Sequence, residues 1–195
     1  ESGCFEAIDF VFQHITNNLG RPPEKIIAWG RSLGTGPSCY LASRQGLGGL
    51  ILETPFLSAF RTLTEIPVLP WDYFENLVFA RSINLPSLII HGRLDEVVPF
   101  RQGEKLHSFL PEPKAFLEFK NASHNNLEEV GGESYLKGIE KFIQEILWRT
   151  YWKGWLQLRP KVWSDYRNDL EKIKLNHNLN DILEYKTNIE CFDDW

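Results

Sequence analysis

The stretch that most constrains this chain is Trp29-Gly30-Arg31-Ser32-Leu33-Gly34, entered from the apolar run Ile26-Ile27-Ala28-Trp29. A short hydrophobic run, then Gly-x-Ser-x-Gly, then a helical pattern reads as a strand, a sharp turn and a helix, with Ser32 at the tip of the turn. Chemistry explains the residue types. A serine hydroxyl is a poor nucleophile, so a chain that uses one must expose it to a base and offer backbone N–H groups to the oxyanion. So tight a turn strains the serine backbone and brings strand and helix together, and Gly30 and Gly34 are expected where a side chain would collide. The pentapeptide alone is only moderately specific. With Gly near ~7% of residues, its three fixed identities recur by chance in roughly one chain in twenty of this length.

Taken in order, the chain alternates two periodicities. Phe5, Ile8, Phe12 and Ile15, with Val11 beside them, form a helical stripe that Gly20-Arg21-Pro22-Pro23 ends. The first strand, Ile26 to Trp29, leads through the turn into a helix expected from Ser32 to about Arg44. Gly46, Gly48 and Gly49 end it, and Leu50-Ile51-Leu52-Glu53 makes a second buried strand. Residues 54–86 are broken by Pro55, Pro67, Pro70 and Pro86 and are rich in aromatic residues. They suit either part of a substrate pocket or ordinary packing of connecting helices. Ser87 to Gly92 is a third strand, Phe100 to Leu110 a helix, and Ala115 to Phe119 a fourth strand. A long helix is expected after Gly131-Gly132, with Leu136, Ile139, Phe142, Ile143, Ile146 and Leu147 on one face. Near-continuous apolar strands separated by helices indicate an α/β fold with a mostly parallel sheet covered on both faces.

Composition narrows the class. With 195 residues and 43% hydrophobic content the chain suits one globular domain with an appendage, and a net charge of -5 argues against nucleic-acid binding through an overall basic field. No apolar run approaches the ~20 residues that span a bilayer, and no signal peptide is visible. Cys4, Cys39 and Cys191 are far apart, odd in number and lack metal-ligand spacing, which points to a reduced, intracellular setting, cytoplasmic or membrane-associated, with a secreted chain carrying one disulfide and a free thiol as the alternative. No cofactor or metal is expected.

In a parallel α/β sheet the functional site lies just beyond the carboxyl ends of the strands. Three residues fall there in turn: Ser32 after the first strand, Asp95 after the third and His124 after the fourth. In the roles that proton chemistry assigns, His124 takes the proton from Ser32 and returns it to the leaving group, while Asp95 orients the imidazole. The backbone N–H of Leu33 is one oxyanion donor. Each residue alone has a plainer reading: a capping serine, a turn aspartate, a surface histidine. The order Ser, Asp, His at successive strand ends is what singles them out. Glu96 and Glu53 are weaker candidates for the acid, one shifted by a residue and the other after the wrong strand. His91 is expected to be buried, and His14, His107 and His177 lie in helical or tail segments.

Gly30 to Ser38, the stretch from Pro86 to Gly103 centred on His91-Gly-Arg-Leu-Asp-Glu-Val-Val-Pro, and Ser123-His124-Asn125 together resemble alpha/beta hydrolases. The nearest branch is that of the alpha/beta-hydrolase-domain-containing serine hydrolases that include protein depalmitoylases and peptidase-like members. The resemblance covers about residues 1 to 147. It implies Ser32, Asp95 and His124 as the triad and Leu33 as an oxyanion donor. Where that family usually has Gly-His-Asn-Asp, this chain has Ala122-Ser123-His124-Asn125-Asn126.

Two features depart from the family. Its members carry strands before the helix at Phe5, with a loop that supplies the second oxyanion N–H. The natural protein is therefore expected to have an N-terminal portion before Glu1, and the chain to be the C-terminal part of the fold, with residues 1–148 as hydrolase domain. Residues 149–195 form an aromatic-rich extension with Trp152, Trp155, Trp163 and Trp195, and the stripe Trp148, Trp152 and Trp155 continues the last helix into it. Its charges balance, so it is no polybasic anchor; packing back onto the domain is expected, with a protein partner or a membrane surface as the alternative. The function expected is a serine hydrolase acting on ester, thioester or amide bonds of a small-molecule, lipid or acyl-protein substrate. A serine peptidase and a non-catalytic hydrolase-fold binding module are the rivals.

Overall fold

In the computed structural model, which describes residues 1–64 and 72–155, the apolar runs pair into one four-stranded sheet of order β1-β2-β3-β4. The strands are β1 (Ile27–Arg31), β2 (Gly49–Glu53), β3 (Ser87–Gly92) and β4 (Lys114–Phe119). All pairings are parallel, with Trp29 beside Ile51, Ile51 beside Leu88 and Ile90 beside Leu117. Parallel neighbours need a crossover. Between β1 and β2 it is α2 (Thr35–Arg44); between β2 and β3 it includes α3 (Arg61–Thr64) and α4 (Asn76–Ala80); between β3 and β4 it is α5 (Phe100–Phe109). Helix α1 (Ser2–Gln13) precedes the sheet and α6 (Leu127–Trp155) follows it.

Strands β2 and β3 are buried along their whole length. Alternate residues serve opposite faces. Ile51, Leu88 and Ile90 share a core with Ile139, Phe142 and Ile146 of α6. Leu50, Leu52 and Ile89, equally buried, point to the other face, where burying each such side chain contributes about 1.5–3 kcal/mol. Helix α2 packs against β1 and β2, and α5 against β3. From α1, Ile8 and Phe12 are buried, and Phe5 stacks on Tyr40 of α2 with ring centroids 4.1 Å apart. In the crossover after β2, Phe56 and Phe74 form a small core with Val98.

One expectation needs correction and another needs extension. Strand β1 continues through Arg31, so Ser32 follows it without an intervening residue. Helix α6 begins at Leu127, ahead of Gly131-Gly132. Asn126 starts it: its carbonyl accepts the Val130 N–H at 2.9 Å. The glycine pair then lies inside, with Gly132 itself non-helical at φ 48° and ψ -127°. A break that glycine tolerates was legible in the sequence, but not that helix precedes it.

The chain divides into two compact units, Glu1–Ile146 and Leu147–Trp195. Residues 156–195, which include Trp163, His177, Cys191 and Trp195, lie outside the described residues, as do the side chains of Trp152 and Trp155. Among the described residues no helix is long and apolar enough to cross a membrane.

Candidate functional site

Ser32 occupies the left-handed region at φ 49°, where a non-glycine side chain is strained and the surrounding structure must hold it. What holds it is a 3-10 turn over Ser32–Gly34 that feeds α2. Thr35 Oγ1 donates to the Ser32 carbonyl at 2.6 Å and accepts from Asn76 Nδ2 at 3.1 Å. Asn76, on α4, thereby braces the turn from outside. At Gly30 a Cβ would lie 2.4 Å from the Gly34 carbonyl oxygen and 2.5 Å from Ser38 Oγ, so glycine is required there. Gly34 is different from the expectation: nothing lies within 4 Å of a Cβ built on it. Its backbone is helical at φ -62° and ψ -15°, and the crowding falls on the inner glycine alone.

The sheet brings the three strand-end residues together. His124 Nε2 is 2.9 Å from Ser32 Oγ, and its Nδ1 is 2.9 Å and 3.0 Å from the two Asp95 carboxylate oxygens. A carboxylate only accepts, so Nδ1 carries the proton and Nε2 is left as an acceptor for the Ser32 hydroxyl. Asp95 is buried, and burial alone would raise its pKa. The hydrogen bonds from His124, His91 and the Val98 N–H outweigh that and hold the carboxyl well below the usual carboxylate range. Asp95 Oδ1 also accepts the N–H groups of Val97 and Val98 at 2.9 and 2.7 Å. Leu33 lies in the first turn after the strand, where a helix provides no partner for the N–H. Its side chain is exposed, as are those of Leu94 and Val97 around Asp95.

The loop bearing His124 is fixed from two sides. Asn126 Oδ1 accepts from Ser123 N at 2.7 Å and from Ser123 Oγ at 3.2 Å, which an aspartate in that place would also do. Arg31 Nη2 donates to the His124 carbonyl at 3.2 Å and to Asn125 Oδ1 at 3.1 Å. The other acid candidates sit elsewhere. Among the described residues Glu96 accepts only from the His124 backbone N–H, at 3.5 Å. Glu53 is buried and accepts from Trp29 Nε1 and, at 3.0 Å, from the Tyr135 hydroxyl. Burial, followed by the charge of Glu53, pushes the Tyr135 hydroxyl above its ordinary range. Of the remaining histidines, His14 is exposed and His107 lies on α5. Among the described residues no group of three His, Cys, Asp or Glu is arranged to hold a metal ion.

Sequence reasoning missed Arg31, Tyr135 and Asn76, whose partners lie far along the chain and leave no local signature. It set His91 aside as merely buried. The signal present was a lone polar residue closing the apolar run of β3.

Known proteins agree with this architecture. No protein-family model matches the chain. The alpha/beta hydrolase domain-containing protein aho-3 of Caenorhabditis elegans is 33% identical over 145 residues, covering 73% of this chain and 43% of that protein. Alpha/beta hydrolase domain-containing protein 17C of Mus musculus is 31% identical over 149 residues, covering 75% and 46%. Protein 17B of Xenopus laevis is 32% identical over 149 residues, covering 75% and 51%. The chain thus spans about half the length of these relatives. Among solved structures, the esterase domain of a Rhodothermus marinus protein superposes with a TM-score of 0.56 at 16% identity, over 71% of this chain and 67% of that one. A monoacylglycerol lipase of Paleococcus ferrophilus gives 0.55 at 19% identity, over 72% and 75%. The chain has the alpha/beta-hydrolase fold, and its sequence relatives are alpha/beta hydrolase domain-containing proteins.

Proposed function

We propose that this alpha/beta-hydrolase-fold chain is a serine hydrolase that cleaves an ester, thioester or amide through an acyl-enzyme on Ser32. The observation that carries the reading is the unbroken relay from Ser32 Oγ through His124 to Asp95, with 2.9 Å at both ends of the imidazole. Ser32 Oγ attacks the carbonyl carbon as its proton passes to His124 Nε2, and the carbonyl electron pair moves onto oxygen. The Leu33 N–H, in the turn directly after Ser32, donates to that oxyanion, an interaction worth about 10²–10³-fold in rate per donor. Collapse of the intermediate expels the leaving group, which takes the proton from His124. Water then attacks the acyl-enzyme by the same path, releasing the acid and restoring Ser32. Asp95 stays ionised throughout and stabilises the imidazolium. Its low pKa supports that role.

The exposed Leu33, Leu94 and Val97 around the nucleophile and the acid favour an apolar acyl group, as in a lipid or an acylated protein. The Trp-rich extension suits a membrane surface or a protein partner that presents such a substrate. Covalent labelling by a fluorophosphonate probe tests the reading on the protein at its full natural length. Labelling lost in Ser32→Ala is expected. A protein that does not label is a binding module and not a hydrolase, and turnover confined to peptidyl reporters in a mixed ester and peptide panel identifies a peptidase.

A further inference from the structure

We infer that His91 is a positioning residue for Asp95, its Nε2–H holding the acid turn so that the carboxylate faces His124. The inference rests on the serine-hydrolase reading and adds one residue to it.

His91 is fully buried in β3, directly after Leu88, Ile89 and Ile90. A polar ring in such a place needs partners, because desolvation without them is costly. Its Nε2 lies 3.0 Å from the Val98 carbonyl oxygen and 3.3 Å from Asp95 Oδ2. Both neighbours are acceptors, so Nε2 carries the ring proton. The turn that receives it is the one that holds the acid. Val98 gives its N–H to Asp95 Oδ1 at 2.7 Å while its carbonyl receives His91, which closes a ring of three residues. Oδ2, the oxygen that His91 approaches, is also the oxygen 2.9 Å from His124 Nδ1. One carboxylate oxygen is thus set between two imidazoles.

The other side of the ring excludes a different purpose. Phe100 meets it edge-on with centroids 5.5 Å apart, and α5 approaches so closely that a Cβ on Gly103 would lie 2.3 Å from Nδ1. Among the described residues Nδ1 is buried without a hydrogen-bond partner. Such an orphan is destabilising, a cost that an apolar side chain of similar shape would avoid. An apolar side chain would not supply the donor at Nε2. The polar capacity of His91 is therefore directed entirely at Asp95 and Val98.

Three variants separate positioning from packing. His91→Leu removes the donor. His91→Asn stays polar, but its amide reaches only the place of Nδ1. His91→Gln puts an N–H near the place of Nε2, and the Asn–Gln pair decides the matter if the leucine variant fails to fold. The readouts are kcat and KM for a p-nitrophenyl ester, alone and in an Asp95→Asn background, and the downfield proton resonance of His124 Nδ1–H, which needs no turnover. His91→Leu and His91→Asn should lower kcat by about 10–100-fold, the scale set by small misplacements of catalytic groups, with KM within about twofold. They should also weaken or shift the resonance. His91→Gln should keep kcat within about threefold of wild type, and His91→Asn should add less than about twofold once Asp95 is already Asn, because residues acting as a unit are not additive. Equal losses for Gln and Asn, an undiminished loss in the Asp95→Asn background, or an unchanged resonance in His91→Asn would overturn the inference. Absence of ester turnover in the wild-type protein counts against the hydrolase reading, while the resonance still decides the role of His91.

Discussion

The two glycines of the turn at Ser32 should respond oppositely to the same substitution. In Gly30→Ala the new Cβ meets the Gly34 carbonyl oxygen at 2.4 Å and Ser38 Oγ at 2.5 Å. Ordinary non-bonded contact begins near ~3.5 Å, so about 1 Å of relief is needed. The Ser38 hydroxyl can rotate away, but the Gly34 carbonyl belongs to the turn that carries Ser32 and moves only with it. Overpacking of this kind costs about 1–3 kcal/mol, and the backbone contact puts Gly30→Ala at the upper end. For a chain of this size that lowers Tm by roughly 6–12 °C. The displacement also carries Ser32 off its line to His124, and a misplacement near 1 Å costs on the order of 10²-fold in rate. Gly34→Ala meets open space on a helical backbone at φ -62°. There alanine stabilises by about 0.4–1 kcal/mol, chiefly by restricting the unfolded chain, which raises Tm by roughly 1–4 °C. Differential scanning calorimetry of both variants, with the rate of fluorophosphonate labelling, reads both effects. A Gly34→Ala protein that melts as low as Gly30→Ala, or a Gly30→Ala protein that labels at the wild-type rate, would refute the reasoning.

Two further outcomes follow from the site. Arg31→Ala removes both side-chain contacts to the His124 loop; since the guanidinium is solvent-exposed, kcat for a p-nitrophenyl ester should fall by only about 3–10-fold with KM little changed, well short of the loss from removing the base itself. Asp95→Asn should lower kcat by about 10⁴-fold, as the same exchange does in a serine protease by imposing the wrong imidazole tautomer. It should also flatten the acid side of stability. The folded pKa of Asp95 is depressed, so its contribution is fully present above its unfolded value near ~3.9 and is lost as pH falls from there toward the folded pKa. Urea titrations between about pH 6 and pH 3 should show a shallower decline for Asp95→Asn than for wild type, and parallel declines would contradict the assignment.

What the sequence disclosed was what local patterns encode. Strand β3 begins and ends where the run between Pro86 and Arg93 does, because burial on both faces favours apolar residues along it, and its two polar residues, Ser87 and His91, lie near its ends and are hydrogen-bonded. Ser32, Asp95 and His124 were legible for the same reason: a parallel sheet delivers its strand ends to one side, so position in the chain implies position in space. Contacts that depend on tertiary geometry were not legible. Gly30 and Gly34 look alike as letters, and only the path of α2 decides which of them is crowded. His91, Arg31 and Tyr135 find partners through the sheet and through α6, and no spacing rule announces such meetings. The long helix after Gly131-Gly132 was legible from its apolar stripe, whereas the short helical stretch from Leu127 to the break at Gly132 was not, because the value of Asn126 as a helix starter appears only once Val130 and Ser123 are folded around it.

The bond from Tyr135 to Glu53 has a consequence for how α6 docks on the sheet. A stripe of aliphatic side chains holds a helix to a sheet without a sharp preference for rotation or for slip along its axis. A hydroxyl aimed at one buried carboxylate is selective, since a turned or displaced α6 would leave Glu53 short of a donor in a place where water does not reach. Tyr135 acts as a peg that indexes α6 on β2. Helical geometry breaks at Gly132, between Leu127 and Tyr135, so the peg fixes the long part of α6 beyond the break. The register of α6 on the sheet is thus set by one polar pair, Tyr135 and Glu53, buried among apolar side chains.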